Sequence, residues 1–420
     1  MLKTYKYRLY PNKETTSRLY WTLTRCRELY NAALSEYKDA YQKHIRTRMH
    51  QNEQGQWIIA EMQANVRVKS VSCFEQMRDV TEIKSEIREE YQEIAAHVLQ
   101  DVLKRLDKGM KAFYRRIGEG QTPGFPRFQG RNRYNSFTYP DGAGWKLEGN
   151  ILHLSKIGDI KVKLHRPIEG KMKTCTIKKE VDQWYVTFSC DIPDEQVGTH
   201  APYTDDAIGI DVGLLHFATL STGDTIENPR FFRKAQSDLK RKQQHKDRCK
   251  RGSHRKEKAK KQVAKAHHKI KNQRQDFLHK QSRQLVNTYE TIVFEELQIA
   301  NISKAPKPKQ DEQGKYLPNG AAAKGGLNKS ILDAGWGQFV SLCKSKAAYA
   351  GLVTVLTVDP KYTSQVCSGC GQVRKKTLDE RWHSCECGCE LDRDHNAALN
   401  ILTKGLQTLS GGTHPTLATA

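Results

Sequence analysis

The second half of the chain alternates short apolar segments with longer helix-forming ones. The apolar segments cover residues 207–211, 291–295 and 352–358. Because they are short, β-branched and continuous, they are typical of strands buried inside a sheet. Strands separated by helical stretches predict an α/β domain. We place this domain at residues 201–366 and 391–409.

Acidic residues lie at the ends of two of these strands and at the start of a later helix. Asp211 and Glu295 end strands, and Asp394 opens an alanine-rich helix that could pack closely on a sheet. Three carboxylates at one place could hold two Mg²⁺ ions, which take hard oxygen ligands and promote phosphodiester hydrolysis. We therefore predict these three as catalytic magnesium ligands. Their neighbours Glu296 and Asp392 are alternatives that the residues alone leave open.

The segment Gly209–Gly213 permits another interpretation. Sugar kinases and actin-like ATPases have a similar phosphate-facing turn after a strand, but Thr or Ser usually follows the second glycine. Here Leu214 and Leu215 follow, and no Walker-type loop occurs elsewhere in the sequence. The kinase interpretation is therefore the weaker one.

Five of the eleven cysteines are concentrated near the end of the chain. Cys367 and Cys370 form a Cys-x-x-Cys pair, and Cys385 and Cys387 form a second pair with one intervening residue. Four thiolates in two close pairs suit tetrahedral Zn²⁺, and with no position left for water the zinc would be structural. Cys389 could replace either member of the second pair. Since the other cysteines are scattered singly, we expect a reducing compartment.

The charge of the chain is strongly unbalanced. Seventy Lys and Arg against 47 Asp and Glu give a net charge of +23, which favours a polyanionic partner because neutralised phosphates release counterions. The most basic stretch, residues 233–280, is predicted to form long exposed helices. Arg241, Lys242 and Arg274 in it are candidate nucleic-acid contacts. A merely solvated helix face, or a ribosome-associated basic protein, would also carry such charge.

The first half predicts a small β domain that a helical segment interrupts. Strand-like segments occur within residues 1–12 and 118–200. Between them, residues 13–117 have apolar side chains at helical spacing, and the clearest pattern predicts one helix from Ile83 to Phe113.

Other segments carry weaker expectations. Residues 303–328 are rich in Lys, Pro and Gly and predict a mobile loop that could act as a lid. Residues 332–349 predict one helix, and the tail 410–420 is expected to be disordered. With no apolar run of about 18 residues and no signal-peptide pattern, we expect a cytoplasmic protein without membrane attachment.

Short motifs give the chain a resemblance to TnpB, the family of RNA-guided endonucleases that insertion sequences encode. The resemblance runs nearly end to end. The motifs are Tyr7–Pro11, Gly124–Phe128, Gln275–Lys280, Asp333–Gly337, Thr363–Gln365 before the first cysteine pair, and Asp392–Ala398 behind the second.

The resemblance implies an RNase H-like RuvC nuclease core with an inserted zinc ribbon. The ribbon would occupy residues 367–390. The segments 1–12 and 118–200 would form a β-barrel-like wedge domain, and residues 13–117 a helical recognition domain. These two domains read a short DNA motif beside the target in the family, and Gln100 and Thr138 match positions implicated in that reading.

The family's catalytic acids match Asp211, Glu295 and Asp394, because Leu297 occupies the leucine position of the family's Glu-x-Leu segment. The implied activity is RNA-guided DNA cleavage. A guide RNA made from the transposon end would pair with one strand of double-stranded target DNA. One RuvC site with two Mg²⁺ ions would then cut both strands, and the protein would act as a monomer.

Part of this assignment stays open at the sequence level. Cys367 and Cys370 match the family's zinc ligands, but the spacing of Cys385 and Cys387 departs from the usual Cys-x-x-Cys. Two other functions also remain. One is a nuclease-inactive RNA-guided DNA-binding repressor, which would lack one or more acids. The other is a transposase acting by DNA strand transfer, for which we find no helix-turn-helix signal.

Overall fold

The structure is a computed structural model that divides the chain into two compact units, Met1–Pro193 and Asp194–Ala420. The predicted boundary at residue 200 and nearly all of the predicted disordered tail lie outside the described residues. The structure describes residues 1–46, 49–51, 57–59, 71–140, 142–197, 202–377 and 380–410.

The described part of the first unit combines a seven-stranded antiparallel sheet, a separate two-stranded antiparallel sheet and three α-helices. Its helices are α1 (Lys13–Arg46), α2 (Cys73–Glu82) and α3 (Ala96–Gly118). Its strands are β1 (Leu2–Tyr10), β2 (Met49–Gln51), β3 (Trp57–Ile59), β4 (Ser136–Tyr139), β5 (Trp145–Glu148), β6 (Ile151–Leu154), β7 (Gly158–Lys163), β8 (Lys171–Glu180) and β9 (Gln183–Asp191).

The sheet has the order β4-β8-β9-β1-β7-β6-β5, with every pairing antiparallel. Its middle strand β1 alternates buried Tyr5, Tyr7 and Leu9 with outward-facing residues, the pattern of a half-buried strand. The sheet therefore joins segments from both sides of the helical insertion. A closed barrel would need β4 to pair with β5, and the described residues show no such pairing, so the barrel stays a prediction.

The predicted single helix from Ile83 to Phe113 is wrong. Helices α2 and α3 are separated by a π turn, Ile83–Ile87, and a 3₁₀ turn, Glu89–Glu93. Arg88, between the turns, has φ −137° and ψ 67°, and its guanidinium bonds Glu28 on α1 at 2.9 Å. Apolar spacing predicted which side faces the core, but this tertiary contact interrupts the helix.

The second unit is an α/β unit. Its helices are α4 (Phe231–Arg248), α5 (His254–Thr288), α6 (Ile299–Ile302), α7 (Ala321–Ala334), α8 (Trp336–Ala350) and α9 (Arg393–Leu409). Its strands are β10 (Thr204–Val212), β11 (His216–Leu220), β12 (Thr225–Glu227), β13 (Tyr289–Glu295), β14 (Lys309–Gln310), β15 (Tyr316–Leu317), β16 (Thr354–Val358), β17 (Trp382–Ser384) and β18 (Glu390–Asp392).

The main sheet of this unit has the order β12-β11-β10-β13-β16. Strands β10, β11 and β12 are antiparallel neighbours, whereas β13 is parallel to β10 and β16 to β13. Numbered along the unit, this is the order 3-2-1-4-5, with one antiparallel half and one parallel half. The α/β core predicted from the alternating strands and helices is thereby present.

The two faces of the sheet carry different helices. Ile208, Ile210, Ile292 and Phe294 pack in one cluster with residues of α5 and α8. The intervening Val293 belongs to a second cluster with Ile401 of α9 and Val358. Because side chains alternate along a strand, every second residue of β10 and β13 faces α9.

Two further predictions need correction. Residues 303–328 are not one structureless loop, because they contain the β14-β15 hairpin and the start of α7. The predicted helix 332–349 is the end of α7 followed by α8. They are separated by Gly335, whose φ of 76° ends one helix and begins the next. No described helix is both long and apolar enough to span a membrane.

Candidate nuclease site

Strand register places two of the predicted acids side by side. Ile210 pairs with Phe294 in the parallel β10-β13 ladder, so the next residues along the two strands are Asp211 and Glu295. Both follow a residue that faces α5 and α8, so both face α9. The carboxyl ends of parallel strands thus bring these acids to one edge of the sheet.

Helix α9 brings the third acid to the same edge. A Cβ atom on Gly209 would lie 2.1 Å from the carbonyl oxygen of Ala398, and one on Gly405 would lie 2.4 Å from Val293 Cγ2. Only glycine at these two positions lets the helix approach the sheet so closely. Asp394, in the first turn of α9, is carried to the end of β10 by this packing.

The neighbouring acids have other roles. Asp392 is the N-cap of α9, and its Oδ1 accepts hydrogen bonds from the backbone N–H groups of Asp394 at 2.8 Å and His395 at 3.3 Å. Glu296 lines a different cavity from the one that Asp394 lines. The structure therefore groups Asp211, Glu295 and Asp394 without these neighbours.

The three acids line one cavity of about 480 Å³. Two arginines that the sequence reasoning missed, Arg381 and Arg393, line it as well. Arg381 lies between the two cysteine pairs, directly before β17, and Arg393 is the first residue of α9. The N–H of Arg393 donates to the carbonyl of Arg381 at 2.8 Å. Their spacing in the sequence gives no signal, because it is the β17-β18 hairpin that folds them together.

The carboxylates destabilise one another's charges. Burial raises the pKa of Asp211 well above its usual range, and the charges of Glu295 and Asp394 raise it further. Burial also raises the pKa of Glu295, partly offset by a hydrogen bond from Thr363. The pKa of Asp394 is raised by burial and by Asp392, while Arg381 and Arg393 act to lower it. A bound cation would relieve this repulsion.

A buried polar network connects Glu295 to the first cysteine pair. Thr363, which is 3% exposed, donates its hydroxyl hydrogen bond to Glu295 Oε1. Asn400 of α9 donates to the carbonyls of Thr363 at 2.9 Å and Val366 at 2.8 Å. Asn396 donates to Val366 as well and accepts from the N–H of Ser368 at 3.0 Å. Helix α9 thus holds the segment between strand β16 and the cysteines.

The four predicted zinc ligands form one cluster. The sulfur atoms of Cys367, Cys370, Cys385 and Cys387 all lie within 4.8 Å of one another. Cys367 Sγ is 3.7 Å from Cys387 Sγ, and Cys370 Sγ is 3.6 Å from Cys385 Sγ. Tetrahedral zinc with Zn–S bonds of about 2.3 Å separates its sulfur ligands by about 3.8 Å, so the donor set fits this ion.

A buried histidine, also missed in the sequence, extends this cluster. A ring nitrogen of His383 lies within 4.8 Å of the sulfurs of Cys367 and Cys389, which gives a second possible ligand set. His383 Nδ1 bonds Lys376 Nζ. Burial opposes ionisation of Cys367, but hydrogen bonds from His383 and from two backbone N–H groups lower its pKa to about 5.

The predicted nucleic-acid contacts in α4 and α5 are engaged within the protein. Arg241 and Lys242 both pair with Asp238 on the same helix. Arg274 forms an ion pair of 2.7 Å with Asp333, whose side chain is only 6% exposed. The structure thus gives Arg274 a packing role, and contacts through these residues stay predictions.

The two predicted DNA-reading positions lie in the first unit. Thr138 on β4 is buried, and its hydroxyl accepts a hydrogen bond from Arg105 and lies 2.9 Å from the hydroxyl of Thr176. Gln100 lies half-buried on α3. Reading of DNA by either residue stays a prediction.

Family models match three parts of the chain. A model described as "Probable transposase" matches residues 187–305, and one described as "Cas12f1-like, TNB domain" matches residues 336–401. A "Helix-turn-helix domain" model matches residues 1–46. In the structure those residues form β1 and one continuous helix, α1, rather than a pair of helices.

Two curated relatives carry the name "Putative RNA-guided DNA endonuclease". InsQ of Escherichia coli (strain K12) is 32% identical over 316 residues, which cover 75% of each chain. The Streptomyces pristinaespiralis protein is 30% identical over 98% of this chain and 91% of its own. The chain belongs to the TnpB family.

A solved structure of the mini-RNA-guided endonuclease CRISPR-Cas_phi3 also matches, at 10% identity and a TM-score of 0.42, over 97% of this chain and 92% of that one. This similarity is too low to support the assignment, so TnpB membership depends on the sequence relatives and on the motifs. The acids and cysteines grouped by the structure lie in or between the matched segments.

Proposed function

We propose that this TnpB protein is an RNA-guided DNA endonuclease. A guide RNA from the transposon end would pair with one strand of double-stranded target DNA, and one site would cut both strands. The observation that carries the proposal is the cavity where Asp211, Glu295 and Asp394 lie together with Arg381 and Arg393. The names of the Escherichia coli and Streptomyces pristinaespiralis relatives support the same activity.

The three acids suit two Mg²⁺ ions. Carboxylate oxygens are the hard ligands that this ion takes. Burial, together with the charges of Glu295 and Asp394, raises the pKa of Asp211, and a bound cation would relieve this cost to its charged form. When bound, two such ions activate water and stabilise the leaving oxygen of a phosphodiester. Asp211, Glu295 and Asp394 would hold them.

The chain's own residues would prepare this site. Thr363 fixes the orientation of the Glu295 carboxylate, and Asp392 fixes the start of α9 and with it Asp394. Arg381 and Arg393 supply positive charge beside the acids, which would attract the phosphate of the strand to be cut and offset its charge.

The cysteine cluster would bind one structural Zn²⁺ through Cys367, Cys370, Cys385 and Cys387. Zinc ligation would order the segment between the two pairs, which is too short to form its own core. Because Arg381 lies in this segment and α9 begins shortly after the second pair, the zinc would also stabilise the wall of the nuclease cavity. The first unit would act as the wedge and recognition domains that read a DNA motif.

The test is cleavage by Asp211→Ala. The wild-type protein, purified with any RNA it retains, should cut a plasmid library in Mg²⁺ and not in EDTA. Asp211→Ala should lose about a thousandfold or more in rate, equivalent to about 4 kcal/mol of barrier, while RNA and DNA binding stay near wild type. Asp206→Ala, an exposed acid on the same strand, is the matched control. Loss of binding together with cleavage would contradict the assignment.

A DNA strand-transfer activity is the second candidate, because one matching family model is described as "Probable transposase". The reaction products distinguish hydrolysis from strand transfer. Hydrolysis leaves free DNA ends, whereas strand transfer joins a DNA end to the target. A nuclease-inactive repressor is disfavoured because all three acids are present and share one cavity.

A further inference from the structure

A second cavity of about 460 Å³ lies in the same unit as the acids, at the start of α4. None of the three acids lines it. Its volume is in the range of about 300–1,000 Å³ that is common for ligand sites. Its lining residues are Leu214, Asn228, Arg230, Arg233, Ser330 and Asp333.

Two arginines of this cavity are held in place by neutral oxygen atoms. Arg230 donates through Nη2 to the carbonyl of Leu214 at 3.3 Å. Arg233 donates through Nη2 to the carbonyl of Gly326 at 2.8 Å and to the hydroxyl of Ser330 at 3.0 Å. Across the described parts of the chain, neither guanidinium forms an ion pair with a carboxylate. Both are therefore positioned without being neutralised.

The one carboxylate in the cavity wall is already occupied. Asp333 Oδ1 accepts from Arg274 at 2.7 Å, and Oδ2 accepts from the backbone N–H of Phe232 at 2.8 Å. Arg241 on α4, by contrast, is paired with Asp238 at 2.8 Å. Arg230 and Arg233 thus differ from the paired cations of α4 and α5 in carrying charge that no internal acid balances.

We propose that this cavity binds one backbone phosphate of a polynucleotide, with Arg230 and Arg233 as its ligands. Arg230 uses only Nη2 internally, so its Nε–H and Nη1–H groups remain to donate charge-assisted hydrogen bonds to phosphate oxygens. The cavity lies where the basic helix α4 begins, so a strand anchored here could continue along that helix. The inference rests on the proposed function, because it names a phosphate contact of the nucleic acid.

The test measures binding and not cleavage. Labelled single-stranded RNA of about 30 nucleotides, DNA of the same sequence and its duplex are titrated in EDTA at several salt concentrations. Arg230→Ala should weaken binding about three- to tenfold, and it should flatten the slope of log affinity against log salt by about 0.7 for single strands or 0.9 for a duplex. Lys111→Ala on α3 removes an exposed cation that is paired with Asp107 at 2.7 Å, and as the control it should change affinity less than about twofold.

The affected nucleic acid identifies the source of the phosphate. Loss of affinity for RNA alone indicates the guide, and loss of affinity for DNA indicates the target.

The second variant is Arg230→Lys. Arg233→Ala is less suitable, because it also removes the contact between α4 and α7. Lysine keeps the positive charge, so Arg230→Lys should keep the slope of log affinity against log salt while losing part of the affinity. If Arg230→Ala binds all three nucleic acids as tightly as Lys111→Ala does, the proposal is wrong. Since cleavage is not measured, failure of the nuclease assignment would be seen separately.

Discussion

The hydroxyl of Thr363 donates a hydrogen bond to the carboxylate of Glu295, and both residues lie at the wall of the acidic cavity. The two are 68 positions apart in the sequence. Thr363 is itself held through its carbonyl by Asn400 of α9. One carboxylate of the site is therefore oriented by the segment that leads into the cysteine cluster.

Thr363→Val should reduce cleavage because the Glu295 carboxylate loses the donor that fixes its orientation. We expect about a ten- to hundredfold lower rate, equivalent to about 1.4–2.8 kcal/mol of barrier, with target binding unchanged. Thr363→Ser keeps the hydroxyl and should restore most of the rate. Equal rates for the Val and Ser variants would show that the hydrogen bond is unimportant.

Arg381→Ala should slow cleavage while preserving nucleic-acid affinity. Its guanidinium lies at the acidic cavity, where it would offset the charge of the phosphate under attack. A single-turnover cleavage assay with prebound DNA should show a loss of about tenfold or more. Lys375→Ala removes an exposed cation of the same segment and is the control. Parallel loss of affinity in the two variants would instead indicate general attraction of DNA.

Asp211→Asn should stabilise the metal-free protein. Burial and neighbouring acids raise the pKa of Asp211, so the folded state favours the protonated form. Protonated Asp211 contributes fully to the free energy of unfolding below the ordinary carboxyl pKa, and this contribution is lost as pH rises through the raised pKa of the folded state. Each unit of difference between the two pKa values corresponds to about 1.4 kcal/mol. In EDTA the melting temperature of Asp211→Asn should be higher than that of wild type near pH 7, and the difference between the two should shrink toward pH 4.

Magnesium should reverse the order of the melting temperatures of Asp211→Asn and wild type. Binding to the folded state alone raises the melting temperature of wild type, whereas Asp211→Asn lacks one ligand and should respond little. The measurement is thermal unfolding with and without Mg²⁺. A variant that gains as much from Mg²⁺ as wild type would show that Asp211 is not a ligand.

Cys385→Ser should lower the zinc content of the purified protein and its resistance to unfolding. Cys385 Sγ lies 3.6 Å from Cys370 Sγ within the four-sulfur cluster. Cys389→Ser should retain zinc, because Cys389 is outside that set. Zinc measured by mass spectrometry checks both. Retention of zinc by Cys385→Ser and its loss from Cys389→Ser would favour the ligand set of Cys367, His383 and Cys389.

Gly209→Ala should destabilise the second unit by about 1–3 kcal/mol or more. The added Cβ would meet the carbonyl oxygen of Ala398 at 2.1 Å, and a backbone atom inside a helix cannot move aside cheaply. Cleavage should fall too, because α9 carries Asp394. Gly325→Ala in α7 meets nothing within 4 Å and should leave stability nearly unchanged. The free energies of unfolding of the two variants, measured in urea, test this prediction.

The sequence predicted those parts of the site that depend on local patterns. Apolar strands ending in Asp211 and Glu295 were recognisable because a buried strand has a continuous apolar run, and the Cys-x-x-Cys pair has a fixed spacing. The choice of Asp394 over Asp392 came from family resemblance, and the structure supplies a physical reason because Asp392 caps α9.

Long-range contacts were beyond such patterns. Arg381 reaches the acids only because β17 pairs with β18, and Thr363 reaches Glu295 only because α9 holds its segment. Arg274 looked like a free cation because its partner Asp333 lies 59 residues away. The break between α2 and α3 depends likewise on Glu28, a residue of another helix.

The position of α9 after the basic helices and the other two acids has a consequence for how the protein is made. During synthesis the basic helices and the other two acids leave the ribosome before α9 and its Asp394. A polypeptide that stops ahead of this helix would keep the cationic surfaces yet lack a complete catalytic centre. Cutting ability would therefore arrive only once α9 has been made, and stop codons ahead of this helix should yield binders that cannot cut.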